Sequence, residues 1–119
     1  MTAVEPKADT ITVLNPATGA LAGTVPIDDA ATVTAKAREL RLFQPEWEAI
    51  GPQGRRKWML KWQEWILDNK DHITEVLMAE TGKSHWDANI EPTLVADGIN
   101  YWSGNAEAFL ADKNPSAHS

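Results

Sequence analysis

The chain has 119 residues, 43% of them hydrophobic and 24% charged, which is typical of one small globular domain and excludes disorder over its whole length. The formal net charge is −6, which argues against a nucleic-acid partner because such partners bind mainly through clustered Lys and Arg. There is no cysteine, which excludes disulfides, thiolate catalysis and cysteine-based metal sites from this chain. No segment resembles a signal peptide or a membrane span, so we expect a cytoplasmic protein without a membrane partner.

The first predicted element is a β-hairpin over residues 11–25. The β-branched run Ile11–Leu14 and the segment before Pro26 have the composition of strands. Between them, Asn15–Gly19 has proline and glycine at turn positions. A lone hairpin is marginal in water, so this one has to pack on another element.

Four helices are predicted to follow, which makes the fold α+β and mostly α. Their expected ranges are about 29–43, 53–68, 71–81 and 84–110. The Asp28–Asp29 pair offers an N-cap for the first helix. This helix is predicted to end near Phe43, because Pro45 disfavours helical geometry at the residue before it. Trp47 and Ile50 are then expected in the connecting loop, where they would pin the loop to the core.

The second helix is predicted to carry an apolar stripe, which in an isolated segment would be an exposed patch that promotes self-association. Its members recur at helical spacing, and they are Trp58, Trp62, Trp65 and Ile66. Such a stripe is typical of a core or a helix–helix contact rather than of a ligand site. Gly82 should end the third helix, and Pro92 must either start or kink the fourth. The chain ends, 1–9 and 111–119, are expected to be flexible.

The sequence contains no complete catalytic constellation. It has neither a glycine-rich dinucleotide fingerprint nor a phosphate-binding loop. The histidines His72, His85 and His118 lie in different segments, and none has the spacing of a metal ligand. Glu75 and Glu80 lie on one helix, but nothing in their spacing indicates acid–base chemistry. We therefore predict no catalytic residue in this chain.

Several short motifs occur together in an order that resembles the opening of the aldehyde dehydrogenases. The resemblance covers about residues 10–110 and rests on Asn15–Gly19, Thr24–Pro26, Phe43 with Trp47, Arg55–Arg56, Asp68–Lys70, Glu80–Lys83 and the aromatic pair Tyr101–Trp102. Each motif occurs by chance elsewhere, but the ordered set does not. The Glu80–Lys83 motif is the sharpest match.

The resemblance implies an enzyme that oxidises an aldehyde to an acid with NAD or NADP. In that family a cysteine attacks the aldehyde, hydride passes to the nicotinamide and a glutamate activates water. Those groups and the dinucleotide-binding motifs lie downstream of the segment that this chain resembles. The chain alone is therefore expected to be inactive, structural and without a bound cofactor.

Two weaker implications of the resemblance concern individual residues. Some family members hold a monovalent cation with oxygen ligands that correspond here to the carbonyls of Val13 and Leu14 and to the side chain of Glu80. The family's ligand set includes a further residue from outside this segment, so the site in this chain is expected to be incomplete. The helix before the aromatic pair also lines the family's substrate tunnel, which points to Leu94 and Ile90. Ordinary helix packing is the competing interpretation for both sets.

Two hypotheses about function remain open. In the first, the chain is an aldehyde dehydrogenase segment whose partner is the rest of that enzyme, or which self-associates as a homo-oligomer through exposed apolar faces. In the second, it is a free-standing helical interaction module, related to the enzyme by descent, whose tryptophan stripe binds a partner. A reading frame that continues past Ser119 into a cofactor fingerprint and a cysteine would favour the first hypothesis.

Overall fold

The computed structural model describes residues 9–112 as an antiparallel hairpin followed by four helices, which confirms the predicted fold class. The elements are β1 (Thr10–Leu14), β2 (Leu21–Pro26), α1 (Ala30–Ala49), α2 (Gly51–Asp68), α3 (Lys70–Thr81) and α4 (His85–Leu110). The ends predicted to be flexible, 1–9 and 111–119, lie almost wholly outside the described residues. No helix in the described part of the chain is long and apolar enough to cross a membrane.

The hairpin is closed by an Asn15-centred turn. The strands pair in register from Thr10 opposite Pro26, with an irregularity after Val13. The side-chain Oδ1 of Asn15 accepts hydrogen bonds from the backbone N–H groups of Ala17 (2.9 Å) and of the next residue (3.2 Å). This Asx-type turn is the turn chemistry that the sequence predicted.

Helix α1 starts as expected but ends later. Asp29 is its N-cap and accepts a hydrogen bond of 2.7 Å from the backbone N–H of Thr32. The helix continues to Ala49, so the predicted end near Phe43 was wrong and Pro45 lies inside it. An interior proline removes one backbone hydrogen bond. Because α1 is exposed along its length, water can satisfy the carbonyl that is left without a partner.

The Asp29 cap should make α1 sensitive to acid. The pKa of this carboxyl lies below its ordinary value, mainly because of the backbone hydrogen bond from Thr32 and secondly because of the Thr32 hydroxyl. Since the pKa is lowered on folding, the cap stabilises α1 above the ordinary carboxyl pKa of about 4, and the effect is lost as the pH falls through the lowered value. NMR titration of the Asp29 carboxyl should report this low midpoint.

Asp29→Asn is the matched control, because asparagine caps helices about as well but does not titrate. The helicity difference between the two proteins, measured by circular dichroism, should change on acidification below about pH 4. A difference that stays constant with pH would contradict this role for the cap.

Helices α2 and α4 pack against each other and form most of the core. Gln63 donates from Nε2 to the carbonyl of Ala96 at 2.7 Å, and Gln53 donates to the Glu107 carboxylate at 2.7 Å. Ile66 is 5% exposed. The buried hydrophobic residues among those described are Ile66, Ala88, Ala96 and Ile99. Three of these four lie on α4, and two are alanines, which allow α2 to approach closely.

The tryptophan stripe of α2 does not face this core. Trp58, Trp62 and Trp65 are 57%, 50% and 55% exposed, so among the described residues the stripe is the exposed apolar patch expected of an isolated segment rather than core. At about 100° per residue, the stripe lies roughly a quarter to a third of a turn around α2 from the face that carries Gln63. The pattern identified an apolar face correctly, but that face has no partner within the described residues.

The junction between α1 and α2 also differs from the sequence prediction. Trp47 lies inside α1 rather than in a loop, and Ile50 caps the helix end. Both side chains are more than two-fifths exposed, so they do not pin the junction to a core. A single residue separates the two helices, and Gly51 turns the chain with a positive φ of 66°.

The last two helices have well-formed ends. Gly82 ends α3 in the left-handed conformation (φ 68°), as the sequence predicted. Ser84 caps α4, and its Oγ accepts a hydrogen bond of 3.2 Å from the backbone N–H of Asp87. Because α4 begins at His85, Pro92 lies inside this helix rather than at its start, and it is buried.

The chain is extended for its length. The Cα radius of gyration is 21.0 Å, whereas a compact chain of this size has a value of about 13–14 Å. No residue of α1 is buried. Large hydrophobic side chains are exposed on every element, with Val76 alone on α3 and several on most of the others. The fold therefore presents several apolar surfaces that it does not cover itself.

Candidate functional site

Two of the motifs singled out in the sequence contact each other in the structure. The turn that starts at Asn15 lies against the carboxyl end of α3, which carries the Glu80–Lys83 motif. Asn15 donates from Nδ2 to the carbonyl oxygen of Met78 at 3.1 Å, although the two residues are 63 positions apart. The same carbonyl accepts the backbone N–H of Gly82 at 3.0 Å. We call this contact between residues 15–18 and 78–82 the hairpin–helix joint.

Gly82 makes the joint possible in two ways. Its φ of 68° is a conformation that other residues adopt at a cost. A Cβ at this position would lie 3.0 Å from both the Cβ and the backbone nitrogen of Ala17, and 3.2 Å from the Cγ of Pro16. The glycine therefore both ends α3 and leaves room for the turn.

An open cleft of about 450 Å³ lies beside the joint. Its lining residues come from both motifs and from α3, and they are Asn15, Ala17, Thr18, Glu75, Met78, Ala79, Gly82 and Lys83. The Lys83 ammonium pairs with the Glu91 carboxylate of α4. Polar side chains therefore lie at the rim of the cleft. The turn at Asn15, the end of α3 and the Lys83–Glu91 ion pair lie around it.

The predicted cation ligands lie close to this joint in the fold. Val13 and Leu14 are the last two residues of β1, directly before the turn, and Glu80 is in the last turn of α3. The carboxyl end of a helix carries partial negative charge, which suits a cation. No group of three His, Asp or Glu side chains that could hold a metal occurs in the described range 9–112. The arrangement brings the two ligand segments together, and the site itself stays a prediction.

The two predicted tunnel residues share one face of α4. Ile90 and Leu94 are one turn apart and are 45% and 59% exposed. Ile90 also lines a small pocket of about 120 Å³ with Trp86. This face lies roughly opposite the buried residues of α4, which are Ala88, Pro92, Ala96 and Ile99. Helix α4 is therefore apolar on two sides, and only one of them is covered.

An aromatic cluster extends the uncovered surface toward the end of α4. Tyr101 and Trp102 meet edge to face with ring centroids 5.1 Å apart, and Phe109 lies 5.9 Å from Trp102. All three side chains are more than half exposed. The three rings therefore form an exposed apolar surface at this end of α4.

The two described histidines are exposed, as expected of lone histidines, whereas Gln63 takes part in helix packing. His72 and His85 are exposed on separate helices, and His118 lies outside the described residues. Gln63 was expected on a solvated face but is half-buried and joins α2 to α4. The signal for the joint was present in the sequence as an Asn-Pro turn and a Gly helix end, but nothing in the sequence alone paired the two.

Comparison with known proteins gives the same family over nearly the whole chain. The model of the aldehyde dehydrogenase family matches residues 3–119. The chain is 29% identical over 106 residues to the glutarate-semialdehyde dehydrogenase of Pseudomonas putida, which covers 89% of this chain and 22% of that protein. It is 32% identical over 99 residues to the lactaldehyde dehydrogenase of Escherichia coli K12, which covers 83% of this chain and 21% of that protein.

A third relative extends the same pattern. The malonate-semialdehyde dehydrogenase 1 of Oceanobacillus iheyensis is 28% identical over 102 residues, with 86% of this chain and 21% of that protein covered. The chain thus spans about a fifth of the length of the curated relatives it matches. No solved structure gives a significant match. On the family match over residues 3–119, this chain belongs to the aldehyde dehydrogenase family.

Proposed function

We propose that this chain is a scaffold segment of an NAD(P)-dependent aldehyde dehydrogenase, an oxidoreductase that converts an aldehyde to a carboxylic acid in the cytoplasm. In this role it supplies the hairpin–helix joint and the walls formed by its helices, and it supplies no catalytic group. By itself it neither turns over aldehyde nor binds the dinucleotide. The rest of the enzyme is then the partner that the uncovered side of α4 contacts.

The observation that carries this proposal is the two-sided apolar character of α4. A helix that is apolar on opposite sides is normally buried between other elements. Here α2 and α3 cover one side, and Trp86, Ile90, Leu94 and Tyr101 remain exposed on the other. A further layer of protein over that side would complete the burial, and an enzyme subunit about four times as long as this chain has the material for such a layer.

The absence of cysteine supports the proposed inactivity. The family mechanism that the sequence resembles needs a thiolate nucleophile, and none of the 119 residues can provide one. Covalent capture of the aldehyde by this chain would need a different nucleophile. Lys83, the lysine that lines the cleft beside the joint, is already paired with the Glu91 carboxylate of α4.

The test is an assay of reduced nicotinamide formation by the purified chain, with intact mass measured on the same sample. We expect no aldehyde-dependent reduction of NAD or NADP at a mass of 13.1 kDa. Isothermal titration with each dinucleotide should likewise give no binding heat. Turnover at that mass would overturn the proposed inactivity, because it would need chemistry that uses no cysteine.

Two site proposals follow from the same role. Ile90 and Leu94 would wall the substrate tunnel, and Val13, Leu14 and Glu80 would contribute oxygen ligands to a monovalent cation. For the cation, the melting temperature of the chain should rise when potassium or sodium replaces tetramethylammonium, and Glu80→Gln should reduce the rise. An equal rise in the variant would remove Glu80 from the site.

A helical interaction module remains the second candidate. The exposed stripe of Trp58, Trp62 and Trp65 favours it, because tryptophan is enriched in the energetic centres of protein interfaces. The gene separates the two candidates: a reading frame that continues into a cofactor fingerprint and a cysteine favours the enzyme, and a stop codon after Ser119 favours the module.

A further inference from the structure

Helix α1 leaves an apolar groove open to solvent. A concave surface of about 620 Å³ follows α1 from Ala37 to Trp47, and a second one of about 400 Å³ continues it to Ile50 and Trp58. The two surfaces share Phe43 and Trp47, so they form one continuous feature, which we call the α1 groove. Because a single helix gains most of its stability from packing an apolar face, α1 lacks the contact that would stabilise it.

The sequence of α1 has the spacing of a helix that pairs lengthwise with another helix. Val33, Ala37, Leu40, Gln44 and Trp47 follow one another at alternating steps of four and three residues. This alternation places all five on one stripe, as in the seam of a paired helix. Leu40 and Trp47 are exposed on this stripe, so the seam has no partner among the described residues. The shape and spacing therefore fit a second helix lying along α1.

The charges beside the seam select the partner and its direction. Arg41 and Glu48 are seven residues apart, so they flank the same side of the seam, and neither belongs to an ion pair among the described residues. We propose that a second copy of this chain covers the α1 groove, with the two α1 helices antiparallel about a two-fold axis near Gln44. Arg41 of each copy then opposes Glu48 of the other, as a self-complementary two-fold interface requires.

The opposite direction is disfavoured by the same charges. In a parallel pair, residues on opposite flanks five positions apart meet across the seam. Here these residues are Lys36, which also pairs with Asp28 of its own chain, and Arg41, so a parallel pair brings two cations together at each edge of the seam and gives Arg41 no carboxylate partner there. The antiparallel pair replaces this repulsion with two attractive contacts and places Leu40 close to Trp47 of the partner.

The area of the groove agrees with a modest dimer. Leu40, Phe43, Trp47, Ile50 and Trp58 expose about 500 Å² of apolar side chain per chain, taking about 150–250 Å² for each large side chain. Two copies would therefore bury about 1,000 Å² in total, which is at the lower limit for specific association. We expect a reversible dimer whose population depends on concentration, with dissociation in the micromolar range or weaker.

The pairing is tested by exchanging the two charges. Light scattering across a concentration series should show association of the native chain and a monomer for both Arg41→Glu and Glu48→Lys. Mixing the two variants should restore the dimer, because the mixture again places opposite charges at both positions. The double variant, which carries both changes, should also associate with itself. Arg38→Glu is the control, since residue 38 lies on the side of α1 away from the seam.

The direction is tested by introducing single cysteines into a chain that has none. Gln44→Cys lies near the proposed axis and should form an intermolecular disulfide readily. Val33→Cys should not, because the two copies of residue 33 would be about 30–35 Å apart at a rise of about 1.5 Å per residue. Crosslinking at residue 33 instead of residue 44 would overturn the antiparallel arrangement.

Two other outcomes would also overturn the proposal. A native chain that remains monomeric at all concentrations would mean that another part of an aldehyde dehydrogenase subunit, or nothing, covers the α1 groove. A dimer that is unaffected by Arg41→Glu would mean that a different apolar face associates. The proposed pairing is separate from the scaffold role. Light scattering measures the mass of the particle in solution and so tests the pairing, whereas the assay of nicotinamide reduction tests the scaffold role.

Discussion

Replacing Gly82 with alanine should destabilise the chain by about 2–5 kcal/mol, measured by thermal or denaturant unfolding. A left-handed φ costs a residue with a Cβ about 1–2 kcal/mol. The new Cβ would also meet Ala17 at 3.0 Å, and relieving such an overlap typically costs a further 1–3 kcal/mol. Because Ala17 belongs to the hairpin and Gly82 to α3, the overlap should loosen the hairpin–helix joint rather than α3 alone.

Two other glycines separate these contributions. Gly51 has nearly the same φ, 66°, but an added Cβ there would meet no atom within 4 Å, so Gly51→Ala should show the conformational cost alone. Gly98 is inside α4 at an ordinary φ with open space around it, and Gly98→Ala should stabilise the chain by about 0.5–1 kcal/mol. The difference between the variants at 82 and 51 then reports the contact with the hairpin.

The joint itself can be observed through Asn15. In Gly82→Ala, the side-chain amide of Asn15 should lose its bond to the Met78 carbonyl, and its NMR signals should move toward the values of a solvated amide. If Gly82→Ala costs no more than Gly51→Ala and leaves those signals unchanged, the hairpin does not depend on the missing Cβ. The joint would then be held by the Asn15 hydrogen bond alone.

The elements with strong local signals were predictable from the sequence. Asn15 and Gly19 define the turn, Asp29 caps α1, and Gly82 ends α3, because each of these depends on a few neighbouring residues. The end of α1 was not predictable from Pro45. Pro45 disfavours the helix locally because it removes one backbone hydrogen bond. The helix can still continue where water reaches the carbonyl that loses its partner, and the sequence does not specify that access.

The sequence also did not predict which neighbouring element each apolar face contacts. The spacing of Trp58, Trp62 and Trp65 shows that they share a face of α2, but not which neighbour that face contacts. The structure rotates α2 so that Gln63 and Ile66 contact α4 instead. Hydrophobic periodicity shows which face of a helix is the most apolar. It does not show whether that face contacts another part of the same chain or a different protein surface. For the same reason, the proximity of the turn and the Glu80–Lys83 motif, 63 residues apart, needed the fold.

The core between α2 and α4 should be sensitive to truncation of Ile66. This residue and Ile99 are the two largest of the buried hydrophobic side chains among the described residues, and Ile66 is 5% exposed. Truncation of a buried isoleucine to alanine typically costs about 2–5 kcal/mol, which combines lost transfer energy with the cavity left behind. The total stability of a small domain is about 5–15 kcal/mol. With four buried hydrophobic residues in the described range, this chain should lie near the lower limit, so Ile66→Ala should remove most of its cooperative unfolding transition.

Leu67→Ala is the matched control, because the neighbouring residue is on the same helix but 47% exposed. It should cost less than half as much as Ile66→Ala in the same denaturant titration. Equal costs would mean that Leu67 is covered in solution, which would indicate self-association through α2. Repeating both titrations at several protein concentrations distinguishes the cases, since only a loss at an intermolecular contact depends on concentration. The pair of variants therefore measures both the core between α2 and α4 and the extent to which the exposed faces find a partner.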